Sequence, residues 1–243
     1  MRLVEAAPDS VEAVGVETLL RMADVAAYND WVYRRIRPYL GDRLLEVGCG
    51  IGNMSGYYAD RPLLVCLDLL VESLALVRAK LGDCPSLHTV QGDICAEATI
   101  AALADYRFDT AVMLNVLEHI ADDAGALAAI HRLLEPGGRL VLLLPAERYL
   151  YGTLDRALGH YRRYEPATVR PLLERSGYQI ELLEYMNLAG ILGWFLNGRV
   201  LRRRLLPRPQ LAAFNVLAPL FERLEGVIRP PRGQSLLVVC RRP

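Results

Sequence analysis

Between residues 43 and 145 the chain alternates short, uninterrupted apolar runs with longer segments of helical periodicity, and this alternation limits the fold more than any other feature. The runs are RLLEVG (43–48), PLLVCLD (62–68), LHTVQGD (87–93), FDTAVMLN (108–115) and RLVLLLP (139–145), each ending in Gly, Asp, Asn or Pro. A run that is apolar at nearly every position suits a strand covered on both faces, as parallel strands are. VESLALVRAKLG (71–82) and DDAGALAAIHRLLEPGG (122–138) instead space their apolar residues by three and four. Asp122 is set to cap the second helix and Pro136-Gly137-Gly138 to stop it. Repeated strand–helix units of this length imply right-handed crossovers and an open, mostly parallel sheet with helices on both faces. No Ser/Gly-rich linker interrupts the 243 residues, and 53% are hydrophobic, enough for one large core. A single α/β domain, 1–243, is expected.

The last third departs from the pattern. YQIELLEYMN (178–187) and SLLVVCRR (235–242) read as strands, and residues 188–234 between them read as two apolar helices with an Arg cluster and Pro207–Pro209 at their junction. Asn197 and Arg199 interrupt the longest apolar stretch, leaving it short of the roughly 20 residues a membrane span needs. Trp194 and Phe195, with Arg199 and Arg202–Arg204, suit a cap over a binding pocket, an interface in a homodimer, or a helix touching a membrane surface through 188–206. The sequence leaves these three open, and monomer and homodimer with them.

Charge excludes little globally but is unevenly placed. Formal net charge is zero, which gives no general signal for nucleic acid. Residues 1–120 carry 10 basic and 17 acidic side chains, residues 121–243 carry 18 and 11, and Lys80 is the only lysine. Acidic residues stand near the N-terminus where an export signal would be basic, so a cytoplasmic location is expected. The five cysteines (49, 66, 84, 95, 240) form no CxxC pair and no Cys/His ligand spacing, so no metal is expected.

Chemistry concentrates at Leu44-Leu45-Glu46-Val47-Gly48-Cys49-Gly50-Ile51-Gly52-Asn53, a buried strand running into a glycine-rich turn and then an expected helix. A dinucleotide fingerprint is G-x-G-x-x-G/A, whose third small residue admits close helix–strand packing beside a pyrophosphate. Here the spacing is G-x-G-x-G and Asn53 holds that third position, which fits a ligand without a pyrophosphate better. Asp68 ends the second strand twenty residues after Gly48, where a carboxylate can accept from ribose hydroxyls.

With these residues in view, E-V-G-C-G-I-G resembles motif I of class I S-adenosylmethionine-dependent methyltransferases, in the ubiquinone/menaquinone-type branch. The resemblance covers about residues 25–187. It implies a Rossmann-like seven-stranded sheet with the last strand antiparallel and the helical insertion just before it. The implied cofactor is S-adenosyl-L-methionine, with S-adenosyl-L-homocysteine as product. Carried over by position, Glu46, Gly48, Cys49 and Gly50 would border its methionine part, with Gly52 and Asn53 also among the cofactor-binding residues. Asp68 and Leu69 would hold the ribose, Asp93 and Ile94 of Gln91-Gly92-Asp93-Ile94 the adenine, and Asn115 with Val116 would lie beside the methionine moiety. A lid helix over about 18–38 would bring Tyr28 onto the same ligand. Each residue has a plainer reading: Asp68 and Asp93 as helix caps, Asn115 as a turn residue, Glu46 as an anchor for its own loop, Tyr28 as part of a packed helix.

Methyl transfer from a sulfonium is a direct displacement, so the protein must align the reactants, exclude water and, for some acceptors, take up a proton. His119, in the N-V-L-E-H-I segment after the fourth strand, and His160, in D-R-A-L-G-H-Y-R-R-Y after the fifth, are the candidate bases. The second loop is too rich in His, Tyr and Arg to be a mere connector. Tyr161, Arg162 and Tyr164, with Trp194 of the insertion, are therefore expected to face the acceptor. Ion pairing of Arg156 and Arg162 within the loop is the alternative. M-L-N-V stands where amino-methylating nucleic-acid enzymes carry an N-P-P-[YF]-like tetrad, which argues against exocyclic base methylation and for a small-molecule acceptor. A cofactor-binding regulatory relative and a nicotinamide-dependent oxidoreductase share most of these features and stand as competing functions.

Overall fold

A computed structural model describes residues 10–243. Two helices, α1 (Val11–Ala23) and α2 (Ala26–Ile36), precede the sheet. Where one lid helix over 18–38 was expected, the chain breaks at Asp24-Val25, because Val25 is buried and leaves helical geometry (φ −102°, ψ 56°) to start α2. Then follow β1 (Arg43–Val47), β2 (Leu63–Asp68), α3 (Val71–Leu81), β3 (Leu87–Gln91), α4 (Glu97–Leu103), β4 (Phe108–Leu114), α5 (Asp123–Leu133) and β5 (Leu134–Pro145). The remainder is α6 (Thr153–Ala157), α7 (Pro166–Arg175), β6 (Gln179–Met186), α8 (Leu188–Phe195), α9 (Arg208–Val227) and β7 (Ser235–Arg241).

The seven strands form one sheet in the order β3-β2-β1-β4-β5-β7-β6. β1 to β5 pair in parallel, and β7 runs antiparallel to both β5 and β6. This is the Rossmann-like arrangement expected, including the antiparallel last strand. Leu64 to Leu67 of β2 and Leu140 to Leu144 of β5 are buried on both faces, which is why they read as unbroken apolar runs. One core cluster lies under α4, α5 and α7; the other joins the opposite face to α2, α3 and α9 through Trp31, Leu74, Val77 and Leu211. Asp122 caps α5 as expected, its side chain accepting from the Gly125 N–H at 2.9 Å. α5 yields to β5 at once, and Pro136-Gly137-Gly138 become an irregularity early in β5.

β1 pairs with β2 on one side and β4 on the other, so the chain's crossovers diverge between β1 and β4. At such a switch point the carboxyl ends of the strands leave a crevice where α/β sheets bind ligands. The glycine loop and Asn115 sit at those two ends.

Candidate active site

The glycine loop turns on three residues with positive φ: Gly48 (68°), Gly50 (52°) and Gly52 (76°). The first also has no room for a side chain, since a Cβ there would lie 2.6 Å from a Val116 methyl. The loop is fastened to β2: the Gly48 and Cys49 N–H groups donate to the Leu67 carbonyl, and the Gly50 N–H donates to Asp68 Oδ2 at 2.8 Å. Asp68 Oδ1 accepts from the Leu70 N–H at 3.0 Å. The carboxylate therefore anchors the loop, while its unused lone pairs stay available at a half-buried strand tip. The expected α-helix after the loop is replaced by a single 3-10 turn, Ser55–Tyr58. Gly52 and Gly56 leave too little helix-forming chain before β2. No helix N-terminus then points at the loop, so the dipole and free N–H groups that hold a pyrophosphate are missing.

Beyond Asp68 the strand tips are open. Leu69 is 63% exposed although it is a large apolar residue, and Asp93 and Asn115 are exposed beside it on the next tips. Asp93 Oδ1 closes a local turn by accepting from the Cys95 N–H, and Ile94 packs into the core. Asn115 adopts φ 53°, a left-handed conformation that ends β4 at an exposed position. An adenosine needs an apolar surface flanked by carboxylates for its hydroxyls and amine, and this edge has both. The residues present fit the adenosyl group.

Three expected cofactor residues sit elsewhere. Glu46 lies beneath the loop, 5% exposed, accepting from Ser55 Oγ at 2.5 Å and Cys66 Sγ at 3.5 Å. Burial pushes its carboxyl up to about 7. Asn53 donates to the Leu19 carbonyl of α1. Tyr28 is packed against Trp31 and Phe214 and hydrogen-bonds with Ser235 and Asn187, on the β7 side of the sheet. It is α1 that lies over the glycine loop. Leu19 abuts Gly50, and eight residues earlier Val11 abuts Gly159 of the histidine loop.

The two histidines meet: the His119 and His160 rings pack edge to face with centroids 4.6 Å apart. His160 is held by α6, since its Nδ1 lies 3.1 Å from Asp155 Oδ1. Asp155 is fully buried and also accepts from Arg163 Nε (2.7 Å), Trp194 Nε1 (3.0 Å) and the Gly152 N–H (2.9 Å). Burial alone would raise its pKa, but those donors outweigh it and hold the carboxyl at about 2. With Nδ1–H donated to Asp155, Nε2 is the lone-pair nitrogen of His160. Burial and the neighbouring His160 push His119 down to about 4, so it is neutral at physiological pH. Glu118 is fully buried with both carboxylate oxygens unpartnered among the described residues, and burial raises it to about 7. Donor atoms of Glu118, His119 and His160 all lie within 4.8 Å of one another. Residue types and distances of this kind can share a proton, and they are also metal-type donors. Sequence spacing could not reveal the group, because His160 arrives from a separate loop.

The substrate expectations divide. Tyr161 is 60% exposed. Arg162 pairs with Asp123 at 2.6 Å and not with a residue of its own loop. Tyr164 is 3% exposed, its hydroxyl directed to Asp123 and the Leu117 carbonyl, so it packs the loop and does not face the acceptor. Trp194 turns inward to Asp155 and stacks on the Arg163 guanidinium, 4.7 Å from its ring centre. It ties the insertion to the carboxylate that holds His160. Asp155, Arg163 and Glu118 were missed as site residues; only the E-H pair and the five-residue step from Asp155 to His160 hinted at them.

Residues 45–142 match the model of a methyltransferase domain family. Over 172 residues the chain is 28% identical to a ubiquinone biosynthesis O-methyltransferase of Xylella fastidiosa, covering 63% of this chain and 66% of that relative. Its fold resembles an S-adenosylmethionine-dependent methyltransferase from Mesorhizobium loti (TM-score 0.58, 20% identity, 87% of this chain and 98% of that one). It also resembles the N-methyltransferase NodS from Bradyrhizobium japonicum in complex with S-adenosyl-L-homocysteine (TM-score 0.55, 17% identity, 88% and 84%). In its domain match, its relatives and its fold, the chain is similar to class I S-adenosylmethionine-dependent methyltransferases.

Proposed function

We propose that this chain methylates a hydroxyl group of a small, amphiphilic acceptor, with His160 as the proton acceptor. The observation that carries this reading is the buried Asp155–His160 pair, which presents a lone-pair imidazole beside His119 next to the β4 tip. S-adenosyl-L-methionine, when bound, supplies an electrophilic methyl group on a sulfonium. Asp68 and the backbone of Gly48–Gly52 would hold it, with Leu69, Asp93, Asn115 and Val116 along the open edge. The protein's own work is then orientation and proton transfer. A neutral amine attacks without prior deprotonation, whereas a hydroxyl becomes a competent nucleophile as it loses its proton. His160 Nε2 takes that proton, Asp155 stabilises the resulting imidazolium, and Glu118 and neutral His119 offer the next positions for it. α1, over the glycine loop, keeps water from the methionine end. The relatives' O-methyltransferase activity supports the hydroxyl acceptor. The absence of a helix N-terminus at the glycine loop argues against the nicotinamide alternative.

The test pairs two measurements on His160→Ala. Turnover with a phenolic acceptor should fall by about 10²–10⁴, the usual contribution of a general base. S-adenosyl-L-homocysteine should still bind, and at 100 times its dissociation constant should stabilise the fold by about 2.7 kcal/mol while NAD does nothing. Unchanged turnover removes His160 from the chemistry, and stabilisation by NAD in place of the homocysteine product removes the methyl-transfer reading.

A further inference from the structure

The segment between β6 and β7 is an antiparallel pair of helices. The Asn187 and Leu188 N–H groups donate to Glu225 near the end of α9, and Asn197, two residues beyond α8, donates to Gln210 near the start of α9. The inner side of α9 packs through Leu211, Phe214 and Phe221 into the core that holds α2. The outer side is apolar as well. Leu188, Leu192, Leu196 and Val200 recur every four residues and are all exposed, Leu192 at 77%. On α9, Val216, Leu220, Leu224 and Val227 follow at steps of four, four and three and are exposed too, with Val216 at 78% and Val227 at 86%. Single exposed leucines are ordinary, but a face of this extent on two adjoining helices marks a contact surface.

Charge selects the partner. Residues 188–234 hold eight arginines and only two acids, Glu222 and Glu225. Glu222 is paired with Arg34, and Glu225 is buried under the start of α8. Arg202, Arg223 and Arg229 are exposed with no carboxylate partner among the described residues, and Arg223 lies on the same face as Val216, Leu220 and Val227. No described helix is long and apolar enough to cross a membrane. We infer that this helical pair docks in the interface of an anionic lipid bilayer, apolar stripes among the acyl chains and arginines on the headgroups. A second copy fits worse, because a two-fold contact sets the patch against itself, arginine against arginine. The contact extends the proposed function, since the acceptor would then reach the site from the bilayer, but it stands on surface chemistry alone. Trp194, between α8 and Asp155, is the physical link from that surface to His160.

The experiment is co-sedimentation of the full chain with vesicles of equal parts phosphatidylglycerol and phosphatidylcholine, and with phosphatidylcholine alone. Binding to the anionic vesicles should exceed binding to the neutral ones and weaken as salt rises. Leu192→Glu with Leu220→Glu should reduce it about tenfold or more, as should Arg202→Gln, Arg223→Gln and Arg229→Gln together, with melting temperature and S-adenosyl-L-homocysteine affinity unchanged. These side chains are exposed, so folding is not at stake, and the two variants check each other. The inference falls if neither vesicle binds or if binding ignores both variants. It also falls if the chain self-associates and Leu192→Glu abolishes that, which would make the face an interface between copies. Absence of S-adenosyl-L-homocysteine binding with vesicle binding intact would instead sink the methyl-transfer reading and leave this one standing.

Discussion

Removal of the Asp155 side chain should cost this protein far more than loss of an exposed carboxylate. Asp155 is fully buried and is the acceptor for Arg163, which is itself buried. Asp155→Ala leaves that guanidinium without a counter-charge and strips acceptors from His160 and Trp194 as well. Breaking one side of a buried pair costs about 3–5 kcal/mol, against about 0–1 kcal/mol for an exposed pair such as Arg132–Glu97. At roughly 2–4 °C per kcal/mol for a chain of this size, the melting temperature should fall by about 6–20 °C. Thermal denaturation followed by circular dichroism reads this directly. Asp155→Ala combined with Arg163→Met should recover much of the loss, because no unpaired charge remains buried. The effect also has a pH signature. The folded carboxyl is held at about 2, below its unfolded value of about 3.9. Its contribution is therefore complete above the unfolded pKa and is lost as pH falls through the folded one. Wild type and variant should converge between about pH 4 and pH 2. A loss under about 1 kcal/mol, or a double variant as unstable as the sum of its parts, would refute the network.

Two further substitutions follow from the same geometry. Asp68→Ala should weaken S-adenosyl-L-homocysteine binding about 10- to 150-fold, the equivalent of 1.5–3 kcal/mol for a hydrogen bond to a charged group, measured by calorimetry; unchanged affinity would leave Asp68 as a loop anchor only. Glu118→Gln should stabilise the protein at alkaline pH and do little near pH 4–5. Burial raises the folded carboxyl to about 7, so the folded state binds an extra proton between the unfolded pKa and that value, and stability declines as pH rises through the window. A pH-independent difference between Glu118→Gln and wild type would show that this carboxyl has a partner in solution.

Much of the molecule was legible in the residues because it depends on short-range rules. Runs such as LLVC and LVLLLP can only be strands covered on both faces, and their order with the intervening helices leaves an open parallel sheet. Gly48, Gly50 and Gly52 mark positions of positive φ, and Asp68 and Asn115 stand at strand ends, so the candidate ligand edge is legible in the residues alone. The sequence could not show which side chains converge from separate loops. His119 and His160 lie 41 positions apart, and Asp155 takes bonds from Arg163, eight residues on, and Trp194, 39 residues on. Tyr164 and Tyr28 carry the same chemistry as Tyr161, yet packing buries two of them and exposes the third. Composition and periodicity describe a residue's own preferences, whereas burial, pairing and pKa belong to its neighbours, and the neighbours are chosen only when the sheet closes its topology and the insertion folds back onto the loop.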